Sequence, residues 1–190
     1  GMRIQFTEVY RDWINGLKDR TSRARIQVRV DRLSHGNPGQ HRHPTEGVSE
    51  LKIDVGPGYR VYYTERNGEL MVLLAGGDKS SQQQDIKAAN ALARNLQEYE
   101  MAKAAAKASP KTKTVAYDVA EQLRTPEEMA AYLDASFVEA PEDAAGIARA
   151  LGDIARAKGM TQVARDAGLS RESLYKALSP LRTSYPTLAG

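Results

Sequence analysis

Residues 50–79 read ELKIDVGPGYRVYYTERNGELMVLLAGGDK, and this stretch decides the fold of the first half of the chain. Leu51, Ile53 and Val55 alternate with Glu50, Lys52 and Asp54. A period of two sends successive side chains to opposite faces of a sheet, so the segment predicts a half-buried strand. Gly56-Pro57-Gly58 turns the chain. In the next run Tyr59, Val61 and Tyr63 oppose Arg60, Tyr62 and Thr64. Asn67-Gly68 follows, a pair that tolerates the positive φ of a type I′ hairpin. Leu70 to Ala75 is apolar throughout, as in a central strand. The stretch therefore predicts a three-stranded antiparallel meander.

Helical patterns flank it. TEVYRDWINGL places Val9, Trp13 and Leu17 at helical spacing, with Tyr10 and Ile14 beside them. SRARIQVRVDRL carries Ile26, Val30 and Leu33 on one stripe, and SHGNPGQ ends that helix. From Ser80 the helical pattern returns with Ile86, Ala89, Leu92, Ala93 and Leu96. The first half reads as a small α+β domain over residues 2–98, with helices on one face of the sheet. The other face is expected to be open and to carry Lys52, Arg60 and Tyr62.

Residues 99–114, YEMAKAAAKASPKTKT, hold little that can be buried and read as an Ala/Lys linker. Residues 115–180 read as all helix. Thr125, Pro126 and Glu128 have the arrangement of a capping box with proline at the first helical position. Pro141 opens a further helix that Gly159 is expected to close, with two short helices after it. Residues 181–190 read as an irregular tail containing Pro186.

The chain has 190 residues, a net charge of +3 and a pI near 9.1, which admits a nucleic-acid partner without requiring one. It has no cysteine, which excludes disulfides, thiolate metal sites and cysteine nucleophiles. His35, His41 and His43 lie beside a Pro/Gly turn without a fourth ligand at fixed spacing, so no metal site and no cofactor are expected. No secretory segment or spanning apolar run is evident, so no membrane partner is expected and a cytoplasmic location is predicted.

Two groups of residues carry candidate chemistry. Period two puts Lys52 and Arg60 on one sheet face, and Lys79 follows the third strand where Gly76-Gly77-Asp78 bends the chain. Cations and tyrosines on one surface suit RNA, with charge for phosphate and rings for splayed bases. Fixed cations also suit attack of a 2′-hydroxyl on its own phosphate, because they stabilise the phosphorane without a metal. The same residues, taken alone, fit a solvated sheet face better than a functional one. In the second half, Ala164, Gly168 and Leu174 have the spacing of a helix-turn-helix over residues 160–178. Ser170 is the expected N-cap of its second helix, and Arg171, Glu172, Ser173, Tyr175 and Lys176 are the candidate DNA-facing residues. Ordinary helical hairpins also produce this spacing.

GVSELKIDVGPGYRVYY, LLAGGDKSSQQQDI and RLSHGNPG resemble the phage-derived RelE/HigB-like addiction-module toxins over about residues 6–96. The resemblance implies a RelE-like α+β fold and metal-independent cleavage of mRNA, usually on the ribosome. It implies Arg60, Lys52 and Lys79 as catalytic residues, with Tyr62, Asp78 and Gln82 as further RNA-binding candidates. Residues 114–180, including GMTQVARDAGLSRESLYKALS, resemble the HigA-like antidote proteins encoded beside such toxins. That resemblance implies contact with a toxin, in the same or another chain, and binding of operator DNA, with a homodimer as the usual operator-binding form. The expectation is thus a toxin–antitoxin fusion whose antidote half inhibits its nuclease half. The competing expectation is a DNA-binding repressor with an inactive toxin-like domain.

Overall fold

The meander forms through the chemistry its residues supply. In the computed structural model, which describes residues 1–102, 112–171 and 173, Asn67 and Gly68 have φ of 56° and 68°. They close the hairpin between β4 (Tyr59–Arg66) and β5 (Leu70–Asp78). β3 (Val48–Ile53) pairs antiparallel with β4, setting Lys52 opposite Arg60 and Glu50 opposite Tyr62. Beyond the expected three strands, β1 (Arg3–Thr7), β2 (His41–Thr45) and β6 (Thr114–Ala116) extend the sheet to six, in the order β2-β3-β4-β5-β1-β6. β1 runs parallel to β5 and antiparallel to β6. The sheet is therefore mixed rather than a pure antiparallel meander.

The helices are α1 (Glu8–Gly16), α2 (Arg20–Ser34), α3 (Gln82–Ala102), α4 (Val119–Gln122), α5 (Pro126–Glu139) and α6 (Ala144–Ala167). Two compact units result. One comprises Gly1–Leu17 and Leu33–Tyr117, the other Lys18–Arg32 with the described residues from Asp118 onward. Each unit is thus built from both halves of the sequence.

In the first unit, Thr7 caps α1 by accepting the Tyr10 N–H, and its hydroxyl donates to the Leu74 carbonyl at 2.6 Å. The buried stripe of α1 is Tyr10 and Ile14, while Val9 is exposed. Trp13, on the same helix, packs over Gly76, where a Cβ would lie 2.2 Å from the indole ring. Gly77, the next residue, faces α3, and a Cβ there would lie 1.8 Å from Asp85 Oδ2. Consecutive strand residues point to opposite faces, so α1 and α3 lie on opposite sides of the sheet. This explains the double glycine and corrects the expected open face. Tyr62, Val72, Leu74, Ala89, Ala93 and Leu96 form one buried cluster between sheet and α3.

In the second unit, Thr125 accepts the Glu128 N–H and Pro126 occupies the first turn of α5, as the sequence predicts. Asp143 caps α6 by accepting the Gly146 N–H at 2.9 Å. Gly159 does not end this helix, which continues to Ala167. A glycine inside a helix costs only about 1 kcal/mol relative to alanine. Gly168, at φ 68°, ends it. The Leu169 N–H bonds to the Ala164 carbonyl and the Gly168 N–H to that of Arg165, the paired bonds of a Schellman motif. No helix among the described residues is long and apolar enough to cross a membrane.

Candidate functional site

The strand register brings the three expected cations to one end of the sheet. Arg60 stands opposite Lys52 on one side and Gly77 on the other. The Lys79 N–H donates to the Gly58 carbonyl at 2.8 Å, which ties the start of the following helical turn to the strand that carries Arg60. Gly58 has φ of 81°, and a Cβ on it would sit 3.6 Å from Arg60 Nη1 and 3.9 Å from Lys79 Cβ. The left-handed turn thus lets the two basic residues crowd one backbone position. Arg60 Nη1 donates to the Tyr59 carbonyl at 3.1 Å. Asp78 does not present its carboxylate outward as a free ligand. It accepts the Ser80 N–H at 2.8 Å and the Ser80 hydroxyl, and these bonds hold its carboxyl below the usual carboxylate range.

At the centre is a residue that sequence reasoning did not select. Glu50 is fully buried. Its Oε1 accepts from Gln82 Nε2 at 2.6 Å and from the Tyr62 hydroxyl at 3.3 Å, and lies 3.6 Å from Arg60 Nε. Its Oε2 takes Arg42 Nε. A buried carboxylate requires such a shell, because an unpaired buried charge is costly. Arg42, opposite Glu50 across β2–β3, extends the cationic row to the edge strand and also escaped the sequence reading. The alternation pattern marks Glu50 as sharing a face with Lys52, but only the later helix α3 buries it.

Tyr62 departs from its expected role. Its ring is fully buried in the α3-facing cluster and is not available for base stacking. Burial, reinforced by the Glu50 charge and hydrogen bond, pushes its hydroxyl well above the usual tyrosine range. Gln82 likewise directs its amide to Glu50 rather than outward.

In the second unit Ser170 behaves as the expected N-cap, accepting the Ser173 N–H at 3.0 Å. Arg171 is turned away from the predicted groove-facing role. Its two Nη atoms donate to the carbonyls of Ala120 and Leu123, both at 2.6 Å, at the C-terminal end of α4. A cation is favoured at a helix C-terminus, and here it adds to the Leu123 N–H that the Ala120 carbonyl already accepts at 3.2 Å. Glu172, Tyr175 and Lys176 lie outside the described residues.

The same unit contains a second charged constellation. Arg23 Nη2 meets Glu128 at 2.6 Å, Arg25 Nε meets Glu139 at 2.6 Å, and Arg32 pairs with Asp143. The one acid of α2, Asp31, receives Arg149 at 2.9 Å. None of these side chains is more than 27% exposed, so they are screened less than ordinary surface pairs. Val28 and Arg32 of α2 line a small cavity of about 10 Å³ with Tyr132, Ser136, Ile147 and Ala150.

An α+β protein with a cationic sheet end and a charge-matched helix cluster is the class these features define. Residues 113–188 match the family described as "Probable addiction module antidote protein". Two uncharacterized proteins of Haemophilus influenzae are similar to the chain. One is 44% identical over 95 residues, covering 50% of this chain and 96% of the relative. The other is 53% identical over 73 residues, covering 38% of this chain and 71% of the relative. The chain belongs to the families of both proteins, and it carries an addiction-module antidote-like part. No solved structure matches it significantly.

Proposed function

We propose that the chain is a fused toxin–antitoxin protein whose first half cleaves mRNA and whose antidote-like half restrains it. The observation that carries the reading is the convergence of Lys52, Arg60 and Lys79 on one sheet end, with Arg60 backed by the buried Glu50. In the proposed reaction the 2′-hydroxyl attacks the adjacent phosphorus and the 5′-oxygen leaves, giving a 2′,3′-cyclic phosphate and a 5′-hydroxyl end. One proton leaves the 2′-oxygen and one reaches the 5′-oxygen. Arg60, with Lys52 and Lys79, stabilises the charge of the phosphorane between these steps. mRNA on the ribosome is the substrate, and no metal or cofactor takes part.

Two further facts support the restraining role. β6 belongs to the antidote-like residues 113–188 and is the strand that pairs with β1. α5 and α6, also within those residues, supply the acids that engage the arginines of α2. Both relatives are about 100 residues long, since 95 residues are 96% of one and 73 are 71% of the other. That size fits two separate proteins joined in this chain. The Schellman turn at Gly168 and the Ser170 cap favour a helix-turn-helix that contacts operator DNA, and with Arg171 engaged on α4 the proposed DNA-facing role stays with Glu172, Ser173, Tyr175 and Lys176.

The test is induction of residues 2–100 and of the full chain side by side, with growth curves and primer extension on total mRNA. Residues 2–100 arrest growth and cut mRNA, the full chain does neither, and Arg60→Ala lowers cleavage by about 10²-fold. A folded, soluble 2–100 that leaves mRNA intact would sink the nuclease reading and favour the repressor.

A further inference from the structure

α2 is rich in positive charge. Its fifteen residues contain five arginines and one acid, Asp31. Its net charge therefore exceeds the +3 of the whole protein. Arg25, Arg29 and Arg32 are four and three residues apart, which places them on one face of the helix. A rise of about 1.5 Å per residue separates the first and last by roughly 10 Å.

Two carboxylates of the antidote-like part fit this stripe. Glu139 is the last residue of α5 and takes Arg25, while Asp143 is the N-cap of α6 and takes Arg32. Asp143 uses one oxygen for the cap and the other for the arginine, so the corner between the helices fixes it in place. Arg149 meets the only acid of α2, so the antidote-like helices engage this helix with charges of both signs. Carboxylates held at guanidinium groups occupy the sites that phosphate oxygens would take, because arginine pairs with both in the same fork geometry.

We infer that the Arg25–Arg29–Arg32 face of α2 is an RNA-backbone binding surface, separate from the Lys52–Arg60–Lys79 cluster, and that Glu139 and Asp143 occupy it as phosphate mimics. The assignment to RNA rests on the nuclease reading. The surface gives the enzyme a grip on its substrate that does not depend on the cutting residues. Covering it blocks binding even where the cleavage cluster is intact.

The test uses the full chain in an Arg60→Ala background, so that RNA is not consumed. Glu139→Gln with Asp143→Asn removes both charges while keeping size, and asparagine caps a helix about as well as aspartate. The probe is a fluorescein-labelled 20-nucleotide oligouridylate, read by anisotropy at several KCl concentrations between 50 and 200 mM. Freeing two arginines for phosphate should steepen the slope of log K against log salt by about 1.4, at about 0.7 per phosphate on a single strand. The affinity gain at the lowest salt should be on the order of tenfold. Adding Arg25→Gln and Arg32→Gln should abolish the gain.

No gain in the double variant overturns the inference, as does a gain that survives loss of both arginines. An equal gain on a 20-base-pair DNA duplex overturns the assignment to RNA. If the double variant fails to give a normal helical melt, Asp143→Asn alone carries the test, with an expected slope change of about 0.7. RNA gain without cleavage by any form of the protein would count against the nuclease reading alone. Cleavage without the gain would count against this inference alone.

Discussion

Replacing Glu50 by glutamine should destabilise the first unit by about 3 kcal/mol, although the change is nearly isosteric. The reason lies in the shell around the carboxylate. Oε1 faces only donors, from Gln82, Tyr62 and Arg60, and Oε2 faces Arg42. An amide must turn its NH₂ toward one of these sets and leave donors facing donors. Arg42 is 48% exposed and can turn to water, so its loss contributes little. The Arg60 side chain is only 12% exposed and keeps its charge. Removing one partner of a buried pair costs about 3–5 kcal/mol, and residual solvent around Arg60 puts the expectation at the low end. Trp13 is the only tryptophan and packs in the first unit, with its ring centroid 5.6 Å from Tyr10 and 6.3 Å from Tyr59. Its fluorescence during urea unfolding therefore reports on that unit. With a slope of about 2 kcal/mol per molar urea, the midpoint should fall by about 1.5 M. Arg60→Met removes the stranded charge, so Glu50→Gln/Arg60→Met should be less destabilised than the sum of the singles by about 1–3 kcal/mol. A midpoint unchanged within about 0.5 kcal/mol, or a strictly additive cycle, refutes the account of Glu50 as a buried counter-charge.

The double glycine of β5 should be asymmetric in its tolerance. Gly76→Ala displaces an indole ring, whereas Gly77→Ala displaces the end of one aspartate side chain. Both should lower the urea midpoint, by about 1–3 kcal/mol of stability, with Gly76→Ala the worse and its Trp13 emission red-shifted; equal effects would contradict the packing described. Asp153 in the second unit should behave in the opposite sense to a paired surface acid. Burial raises its carboxyl to about 6, against the opposing Arg156. An acid raised in the folded state stabilises most when protonated, below about pH 4, and that contribution is lost as pH rises through 6. Asp153→Asn keeps an acceptor for the Tyr132 hydroxyl and should raise stability at pH 7.5 by about 1–2 kcal/mol after allowance for screening, flattening the slope between pH 4 and 6. Helical melts by circular dichroism across that range check it, and a destabilised Asn variant at pH 7.5 contradicts it. A protease site placed between residues 102 and 112 should leave the two fragments associated after cleavage. Size-exclusion chromatography at micromolar concentration measures this, and separation of the fragments argues against shared units.

Local chemistry was legible wherever one short stretch contains both partners of an interaction. Asn67-Gly68 announces its hairpin, Thr125-Pro126 its helix start and Gly168 its left-handed cap, because each depends on backbone preferences of its own residues. The pairing of Lys52 with Arg60 was equally readable, since strand period and turn length set the register. Burial of Glu50 and Tyr62 was not. Alternation shows that they share a face, but not that a helix beginning at Gln82 closes over it. β1 and β6 are short, and each gains its strand character from a partner far away in the chain. Arg171 looked outward by helical spacing, yet carbonyls about fifty residues earlier claim it.

The same distinction explains why the boundary between the halves of the sequence is not a boundary between units. β1 without β6 would be a sheet edge with unpaired backbone groups, the kind of edge that invites pairing with another chain. β6 covers it, with the Tyr117 N–H on the Ile4 carbonyl at 2.9 Å, the Thr114 hydroxyl on Gln5 and the Tyr117 ring against Phe6. α2 without α5 and α6 would carry uncompensated arginines, which Glu128, Glu139 and Asp143 neutralise. An antidote-like segment thus completes each unit, once by backbone pairing and once by charge. Backbone pairing is largely indifferent to salt, while ion pairs weaken as salt rises. The two attachments therefore respond to different conditions, and ionic strength alone should loosen the hold on α2 before the hold on β1.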